Sequence, residues 1–369
     1  MSPALFDLRC TRVPALLLLA FLLFGCVDEI DLKQADDLPE GIVLRGRLLV
    51  TADDANVEIN LERLFQFSSN LPERVVTARV TLENSEGQKL ALPYRDGAYR
   101  SPIGLNNPDM AIRPGLGYRV LIEEGADEAY ASEFDVLQEA LTPTELTYSF
   151  VDVDGLTPAG TPVVIPSVQY ELSTPTSNAD GSPAQLRYEI EVDFALTDSR
   201  SESGQPSFIS TTCYVNQLRA NNQVLLLDGR DVAGGSVAGY PLLTVPKNFA
   251  YAEGNYTTAN QLAISREAFT YFEQIEQIAD QEESIFGSPP GPVVGNVIDV
   301  NGNTSNVFGF FYTANTRPAR VGISRAEADS PNYYCPLPQS MNPPPPPTVC
   351  DDCLRYFGAS LDQPTFWAY

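Results

Sequence analysis

Cysteines are the residues of this chain whose chemistry can be predicted most directly from their positions. Cys26 follows a glycine and the apolar residues 13–24, and the segment before them carries Arg9 and Arg12. An apolar run this short, with a basic start and a small residue before the cysteine, is typical of a cleaved signal peptide and not of a membrane helix. The sequence therefore predicts a signal peptide over residues 1–25.

Cys26 would then be the site of a lipid anchor. Its thiol would carry diacylglycerol, and its new amine would carry a fatty acyl chain such as palmitate. Together these chains anchor a protein firmly to a membrane. The alternative is a plain secretory signal followed by a cysteine that is there by chance.

Three acidic residues follow the predicted lipid anchor: Asp28, Glu29 and Asp31. This cluster resembles the acidic export signal by which lipoproteins of Bacteroidetes reach the cell surface. The other interpretation is that residues 26–40 are simply a charged, solvated tether. On the first interpretation we expect a lipid-anchored protein of the outer membrane that faces outward.

Four more cysteines remain after Cys10 leaves with the signal peptide: Cys213, Cys335, Cys350 and Cys353. Four thiols in an exported chain predict two disulfides, and the sequence leaves the three possible pairings open. The last two also have the spacing of zinc ligands or of a redox pair. A zinc site would need the other two thiols paired at short range, and a redox motif would need a βαβ unit. We therefore expect disulfides, and neither a metal nor a cofactor.

The charge balance and the absence of histidine restrict the possible functions. The chain of 369 residues has 48 acidic and 23 basic side chains, no histidine and a net charge of −25. Such a chain repels nucleic acid. Without histidine it lacks the Ser-His-Asp and Cys-His arrangements and the usual acid or base that acts near neutral pH. We therefore expect a non-catalytic binding protein. The alternative is an envelope hydrolase that uses carboxylates.

Two segments place oxygen side chains at alternate positions before a glycine, as calcium loops do. Asp152 and Asp154 belong to one of them, and Asp299 and Asn301 to the other. Neither segment has the twelve-residue loop that ends in Glu, and Asx-Gly turns between strands give the same pattern. These four residues are weak calcium candidates, and ordinary turns are the interpretation that we prefer.

The elements that must position these residues are predicted to be mainly β. Residues 41–141 contain short alternating segments, such as 41–50 and 117–123, with turn residues every eight to twelve positions. This pattern indicates an N-terminal, immunoglobulin-like antiparallel β-sandwich. Residues 142–369 are predicted to form a second β-rich domain with strands such as 186–196, followed by a tail rich in Pro and Cys.

One prominent α-helix is predicted near residues 265–284. Ser265 can cap it, Glu267 lies in its first turn, and Phe272 and Ile275 belong to an apolar set at helical spacing. Because these apolar residues lie among Glu and Gln, the helix should rest on a sheet with its acidic side in water.

Several of these segments together resemble one family, the lipoproteins of domain of unknown function 4249. The segments that carry the resemblance are LAIS at 262–265, AFTYF at 268–272, PVVGNV at 292–297, VFGFF at 307–311, CDDCLR at 350–355 and PTFW at 364–367. The resemblance covers nearly the whole chain after the signal peptide, and its motifs are structural. The last segment departs from the commoner Lys-Pro-Asp-Phe ending, which weakens inferences about the tail.

The resemblance also implies a partner. Proteins of this kind are often encoded beside TonB-dependent outer-membrane transporters, so we expect an accessory subunit or binding partner of such a channel. The family offers no catalytic residues to carry over to this chain.

Overall fold

The computed structural model describes most of the chain after the predicted tether. The described residues are 41–64, 73–125, 128–198, 200–201, 208–218, 224–281, 293–301, 307–329, 331–335 and 348–369. The predicted signal peptide, Cys26, and the acidic residues Asp28, Glu29 and Asp31 lie outside them, as does the proline run at 343–347. Among the described residues, no helix combines the length and the apolar character needed to cross a membrane.

Strands dominate the described residues, so the predicted mainly β fold is confirmed. In chain order they are β1 (Ile42–Val50), β2 (Asp54–Arg63), β3 (Arg79–Asn84), β4 (Lys89–Leu92), β5 (Tyr94–Arg95), β6 (Ala98–Gly104), β7 (Gly117–Glu124), β8 (Glu128–Ser132), β9 (Asp135–Val136), β10 (Glu145–Leu156), β11 (Pro162–Pro175), β12 (Gln185–Thr197), β13 (Arg200–Ser201), β14 (Phe208–Ile209), β15 (Thr212–Leu218), β16 (Leu225–Asp228), β17 (Ser236–Pro246), β18 (Asn255–Ile264), β19 (Val297–Asp299), β20 (Val307–Ile323) and β21 (Ala359–Ser360).

These strands form four sheets. The ten-stranded sheet has the order β21-β15-β12-β18-β20-β1-β2-β6-β5, and β16 also pairs with β12. The six-stranded sheet has the order β19-β8-β7-β3-β4, and β9 also pairs with β7. A three-stranded sheet contains β10, β11 and β17, and β13 pairs with β14.

The ten-stranded sheet joins the first described strand to one near the end of the chain. β1 pairs antiparallel with β2 and parallel with β20, starting with Ile42 opposite Val307. Farther along, Leu44 lies opposite Gly309, whose φ is 112°. A Cβ added to Gly309 would lie 1.8 Å from the Leu44 carbonyl oxygen, so only glycine fits there. The glycine of the segment 307–311 therefore has a structural role.

The strands of residues 41–141 share one hydrophobic core between two sheets, and Val297 and Phe311 also belong to it. Leu44, Leu48 and Ile59 of the ten-stranded sheet belong to the same buried cluster as Leu82 and Tyr118 of the six-stranded sheet. The immunoglobulin-like form of this arrangement stays a prediction.

The predicted boundary near residue 141 does not coincide with a break in the largest sheet. Strands from residues 41–141 hydrogen-bond to β20, which lies in residues 142–369. The division of the chain into two domains near residue 141 therefore stays a prediction.

One α-helix, α1 (Arg266–Gln281), is present among the described residues. The Ser265 hydroxyl oxygen accepts a hydrogen bond from the Ala268 N–H at 3.1 Å, so the predicted cap is confirmed. Ala268 and Phe272 are buried in a cluster with side chains of β18 and β20, as predicted for a helix that rests on a sheet. Residues 282–284, the predicted end of the helix, lie outside the described residues.

Two disulfides fix the C-terminal tail. Cys213 in β15 is bonded to Cys353, and Cys335 is bonded to Cys350. The structure thus selects one of the three pairings that the sequence left open. The two cysteines of the CxxC spacing belong to different disulfides.

The last residues of the chain pack against the ten-stranded sheet. The ring of Trp367 contacts those of Tyr214 and Tyr256, with centroids 5.2 Å apart in each case. The guanidinium carbon of Arg320 lies 3.6 Å from the ring centroid of Phe366. The tail therefore completes a small aromatic core.

Candidate functional site

A long hairpin of β10 and β11 extends past the strand that supports it. β17 pairs with β11 only from Ser167 onward, whereas β10 and β11 stay paired as far as Leu156 opposite Pro162. We call the unsupported part, residues 152–166, the arm. Its five strand pairs extend the hairpin by about 17 Å, at roughly 3.4 Å per residue. Within the described chain, no further strand pairs with either edge of the arm, and at its base the Lys247 N–H donates a hydrogen bond to the Pro166 carbonyl at 2.9 Å.

The arm carries exposed apolar side chains on both of its faces. Leu156 is 68% exposed and Val164 54%, and these two lie on one face. Val153 and Val163, which are 39% and 38% exposed, lie on the other face. Isolated apolar residues on a surface are ordinary, but a contiguous group is typical of an interaction site. Unpaired strand edges add backbone donors and acceptors that a partner strand can use.

The base of the arm is held by polar and aromatic contacts. The Tyr148 hydroxyl donates a hydrogen bond to a Glu327 carboxylate oxygen at 3.1 Å. Burial and this carboxylate together raise the pKa of Tyr148 to about 12, so the hydroxyl stays protonated at neutral pH. The ring of Phe150 lies edge to face with that of Tyr148, and the Lys247 ammonium group is 5.3 Å from its centroid. These contacts hold the hairpin where the arm begins.

Two of the predicted calcium candidates lie on the arm. Asp152 and Asp154 are exposed within β10, and Gly155 lies in the same strand opposite Val163. The interpretation of this segment as an Asx-Gly turn is therefore wrong. The strand continues through Gly155 because this residue stays paired with Val163 of β11. The Ile165 side chain covers Gly155, with Cδ1 2.6 Å from the place where a Cβ would stand.

The other two candidates are in a local turn. The Asp299 carboxylate accepts a hydrogen bond from the Asn301 backbone N–H at 2.8 Å, as in an Asx turn. In the part of the chain that the structure describes, no group of three or more His, Cys, Asp or Glu side chains is placed to hold a metal ion.

Two buried carboxylates near α1 have structural partners. Asp135 accepts hydrogen bonds from the Ser265 hydroxyl and from the backbone and hydroxyl of Thr313. Burial raises the pKa of Asp135, and these hydrogen bonds oppose that change. Asp228 accepts hydrogen bonds from the guanidinium groups of Arg230 and Arg266. Asp135 thus connects the cap residue of α1 to β20, and Asp228 connects the first residue of α1, Arg266, to Arg230.

The sequence-predicted residues do not converge on one site. The four disulfide cysteines lie in β15 and the tail, and the calcium candidates lie in two separate strands and turns. Sequence reasoning missed the arm, although a signal was present. Leu146, Tyr148 and Phe150 alternate with polar residues, and the Thr157–Pro158–Ala159–Gly160 turn is followed by the β-branched run 163–165.

Comparison with known proteins identifies a family to which the sequence is similar. A family model described as a domain of unknown function, DUF4249, matches residues 28–320, which include the whole arm and α1. No curated protein matches the chain, and no solved structure does either.

Proposed function

Because this chain belongs to the DUF4249 family, we propose that it is a non-catalytic lipoprotein of the outer-membrane surface that binds a TonB-dependent transporter through the arm. The observation that carries this proposal is the arm itself, a hairpin with apolar side chains on both faces and unpaired edges within the described chain. A two-stranded hairpin is only marginally stable in water by itself. A partner that covers both faces would therefore stabilise it.

The charges of the arm indicate the kind of surface that it fits. Asp152 and Asp154 are its only charged residues, since the sequence from 150 to 166 contains no Lys or Arg. We therefore expect an apolar groove with a basic rim on the transporter, because complementary charge favours the correct encounter. A transporter strand could also pair with a free edge of the arm, as in β-augmentation.

The predicted lipid anchor supports the same proposal. Acylation at Cys26, with export directed by Asp28, Glu29 and Asp31, would place the protein and the transporter in one membrane. Anchoring in a shared membrane raises the effective concentration of the arm near its partner, so a modest interface is sufficient for stable association.

The test is purification of the protein from native outer membranes after gentle crosslinking, followed by mass spectrometry. With the wild-type protein we expect a TonB-dependent channel in near-equal amount. A Leu156→Ser/Val164→Ser variant should recover at least about tenfold less channel, because it removes the two most exposed apolar side chains of the arm. The matched control is Leu361→Ser, which changes a 56% exposed leucine of the tail and should leave the recovery unchanged.

The experiment tests the proposed partner and the proposed binding site separately. Recovery of the wild-type protein without any channel would contradict the proposed partner. Equal recovery of the channel with the arm variant would contradict the arm as its binding site. Because both arm positions are exposed, the variant should change the free energy of unfolding by no more than about 0.5 kcal/mol, which urea unfolding can check.

A further inference from the structure

A cleft of about 340 Å³ lies between α1 and the ten-stranded sheet. It shares no residue with the arm. Alternation along β1 sends Leu44 and Leu48 into the core, so Arg45 and Arg47 lie on the opposite face and line the cleft. Its volume is at the lower end of the range of about 300–1,000 Å³ for small-molecule sites.

Two arginines in the cleft share one carboxylate. Glu189 accepts hydrogen bonds from Arg47 Nη1, at 3.1 and 3.2 Å to its two oxygens, and from Arg187 Nη1 at 2.7 Å. Arg187 Nη1 also donates to the Tyr312 hydroxyl at 3.1 Å. Each guanidinium group has five N–H bonds, so both arginines can donate to a ligand as well.

The other carboxylate of the cleft, Glu58, lies opposite Arg47 in the strand pair and helps to keep the pKa of Arg47 raised, but it is shared with a further arginine. Glu58, which lines the cleft beside Arg47, accepts from Asn60 and lies 3.8 Å from an Arg100 nitrogen. Arg45 is paired with Glu62 at 2.7 Å. Counted with these ion-pair partners, the cleft has four arginines against three carboxylates, so one positive charge is in excess in a chain whose net charge is −25.

The two arginines that share Glu189 are partly removed from water. The side chains of Arg47 and Arg187 are 33% and 19% exposed. A charge in such a position is stabilised by an opposite charge with good hydrogen-bond geometry. Glu189 supplies one such charge to both arginines, and an anionic group that enters the cleft would supply a second.

Aromatic side chains of α1 and β20 line the cleft beside these arginines. The guanidinium carbon of Arg187 lies 4.3 Å from the ring centroid of Phe272, and the ring of Tyr271 stacks on that of Phe310 at 4.4 Å. Tyr271 and Ile275 of α1 remain partly exposed at the cleft. This lining is therefore suited to an apolar group or to the face of a sugar ring.

From this geometry we propose that the cleft binds a small carboxylate ligand. Arg47 and Arg187 donate hydrogen bonds to the carboxylate, and an apolar or sugar-ring part of the ligand lies against Tyr271. Guanidinium groups are the side chains best suited to a planar carboxylate, because they can present two parallel N–H bonds. This ligand chemistry is shared by the C-terminus of a short peptide and by an acidic sugar.

Isothermal titration of the purified lipidated protein in detergent tests the proposal. N-acetylphenylalanine and its amide represent the peptide source, and glucuronate and glucose represent the sugar source. We expect at least one carboxylate to bind, with its neutral counterpart about tenfold weaker or more. Arg47→Met should lower the affinity for that carboxylate by about tenfold or more.

The matched control is Arg79→Met, because the Arg79 side chain is 76% exposed and neither Arg79 nor its ion-pair partner Glu123 lines the cleft. It should leave the affinity unchanged. A second variant, Glu58→Gln, removes a negative charge from the lining of the cleft and should therefore bind the carboxylate several-fold more tightly. This test does not depend on whether the Arg47→Met protein folds normally.

Three results would overturn the proposal. One is the absence of binding of both carboxylates up to about 10 mM. Another is equal affinity of the Arg47→Met and Arg79→Met proteins. The third is unchanged or weaker binding by Glu58→Gln. Because no arm residue takes part, loss of the transporter in the crosslinking experiment would leave these results unaffected.

Discussion

The carboxylate of Asp135 accepts a hydrogen bond from the hydroxyl of Ser265, the residue that caps α1. Asp135 belongs to β9 in the six-stranded sheet, and its other oxygen accepts from the Thr313 N–H at 2.7 Å and the Thr313 hydroxyl at 2.8 Å. Thr313 lies in β20 of the ten-stranded sheet. One buried carboxylate therefore connects both large sheets and the helix.

Ser265→Ala should lower the free energy of unfolding by about 1–3 kcal/mol, because it removes the helix cap and a donor to buried Asp135. Urea unfolding measures this change. The control is Ser101→Ala, whose hydroxyl bonds, among the described residues, to the neighbouring Pro102 carbonyl; it should cost less than about 0.5 kcal/mol. The effect of Ser265→Ala should also be smaller when Asp135 is already Asn. Strict additivity of the two changes would contradict the coupling.

Asp228 should make stability depend on pH in the acid range. Burial by itself would raise the pKa of Asp228, but hydrogen bonds from Arg230, Arg266 and Gln185 outweigh it and hold the pKa well below its usual value. A carboxyl whose pKa is lowered by folding contributes stability above its unfolded pKa, near 3.9. That stability is lost as the pH falls through the folded value.

The variant Asp228→Asn should therefore be about 1–3 kcal/mol less stable than the wild type at pH 7. The difference should shrink as the pH falls below about 4. Chemical unfolding at a series of pH values measures both curves. A difference that stays constant between neutral pH and pH 3 would show that the ion pairs of Asp228 contribute nothing to folding.

The two disulfides should differ in their contribution to stability. Cys213 and Cys353 are separated by 140 residues, and Cys335 and Cys350 by 15. Because the longer loop restricts the unfolded chain more, replacing the first pair by Ser should cost nearly 5 kcal/mol, and replacing the second about 3 kcal/mol. Thermal unfolding without reductant compares the two variants. If reductant left the unfolding of the wild-type protein unchanged, the disulfides would not contribute as expected.

Cys26→Ala should release the protein from the membrane, because the predicted acyl chains would have no site of attachment. Fractionation with a carbonate wash, together with incorporation of labelled palmitate, measures both consequences. Cys10→Ala is the matched control, since Cys10 lies in the predicted signal peptide and its loss should change neither. Retention of the Cys26→Ala protein in washed membranes would contradict the anchor.

The strands were predictable where one face is buried. Residues 186–196 alternate, and β12 buries Tyr188, Ile190 and Phe194. Ser265 was recognisable as a cap because capping depends on a few neighbouring residues. The partners of the strands were not predictable. The parallel pairing of β1 with β20 joins distant segments, and the local pattern of either strand does not specify its neighbour.

The binding surfaces were harder to predict than the strands. Asp154 and Gly155 have the sequence of a turn, but they lie within a strand because β10 stays paired with Val164 and Val163 of β11. In the cleft, Arg45 and Arg47 at alternate positions of β1 were a visible signal for an outward-facing basic pair. Glu189, which defines the geometry of Arg47, is far away in sequence and could not be assigned to it.

If the chain is exported as proposed, the pairing of Ile42 with Val307 also determines when the fold can be completed. A chain that crosses a membrane from its N-terminus delivers β1 early, and one edge of β1 stays open until β20 has followed. Pairing over such a distance in sequence is slow, and an open edge can pair with the wrong strand in the meantime. A chain that ended before β20 would therefore have its largest sheet divided, with one edge of β1 left open.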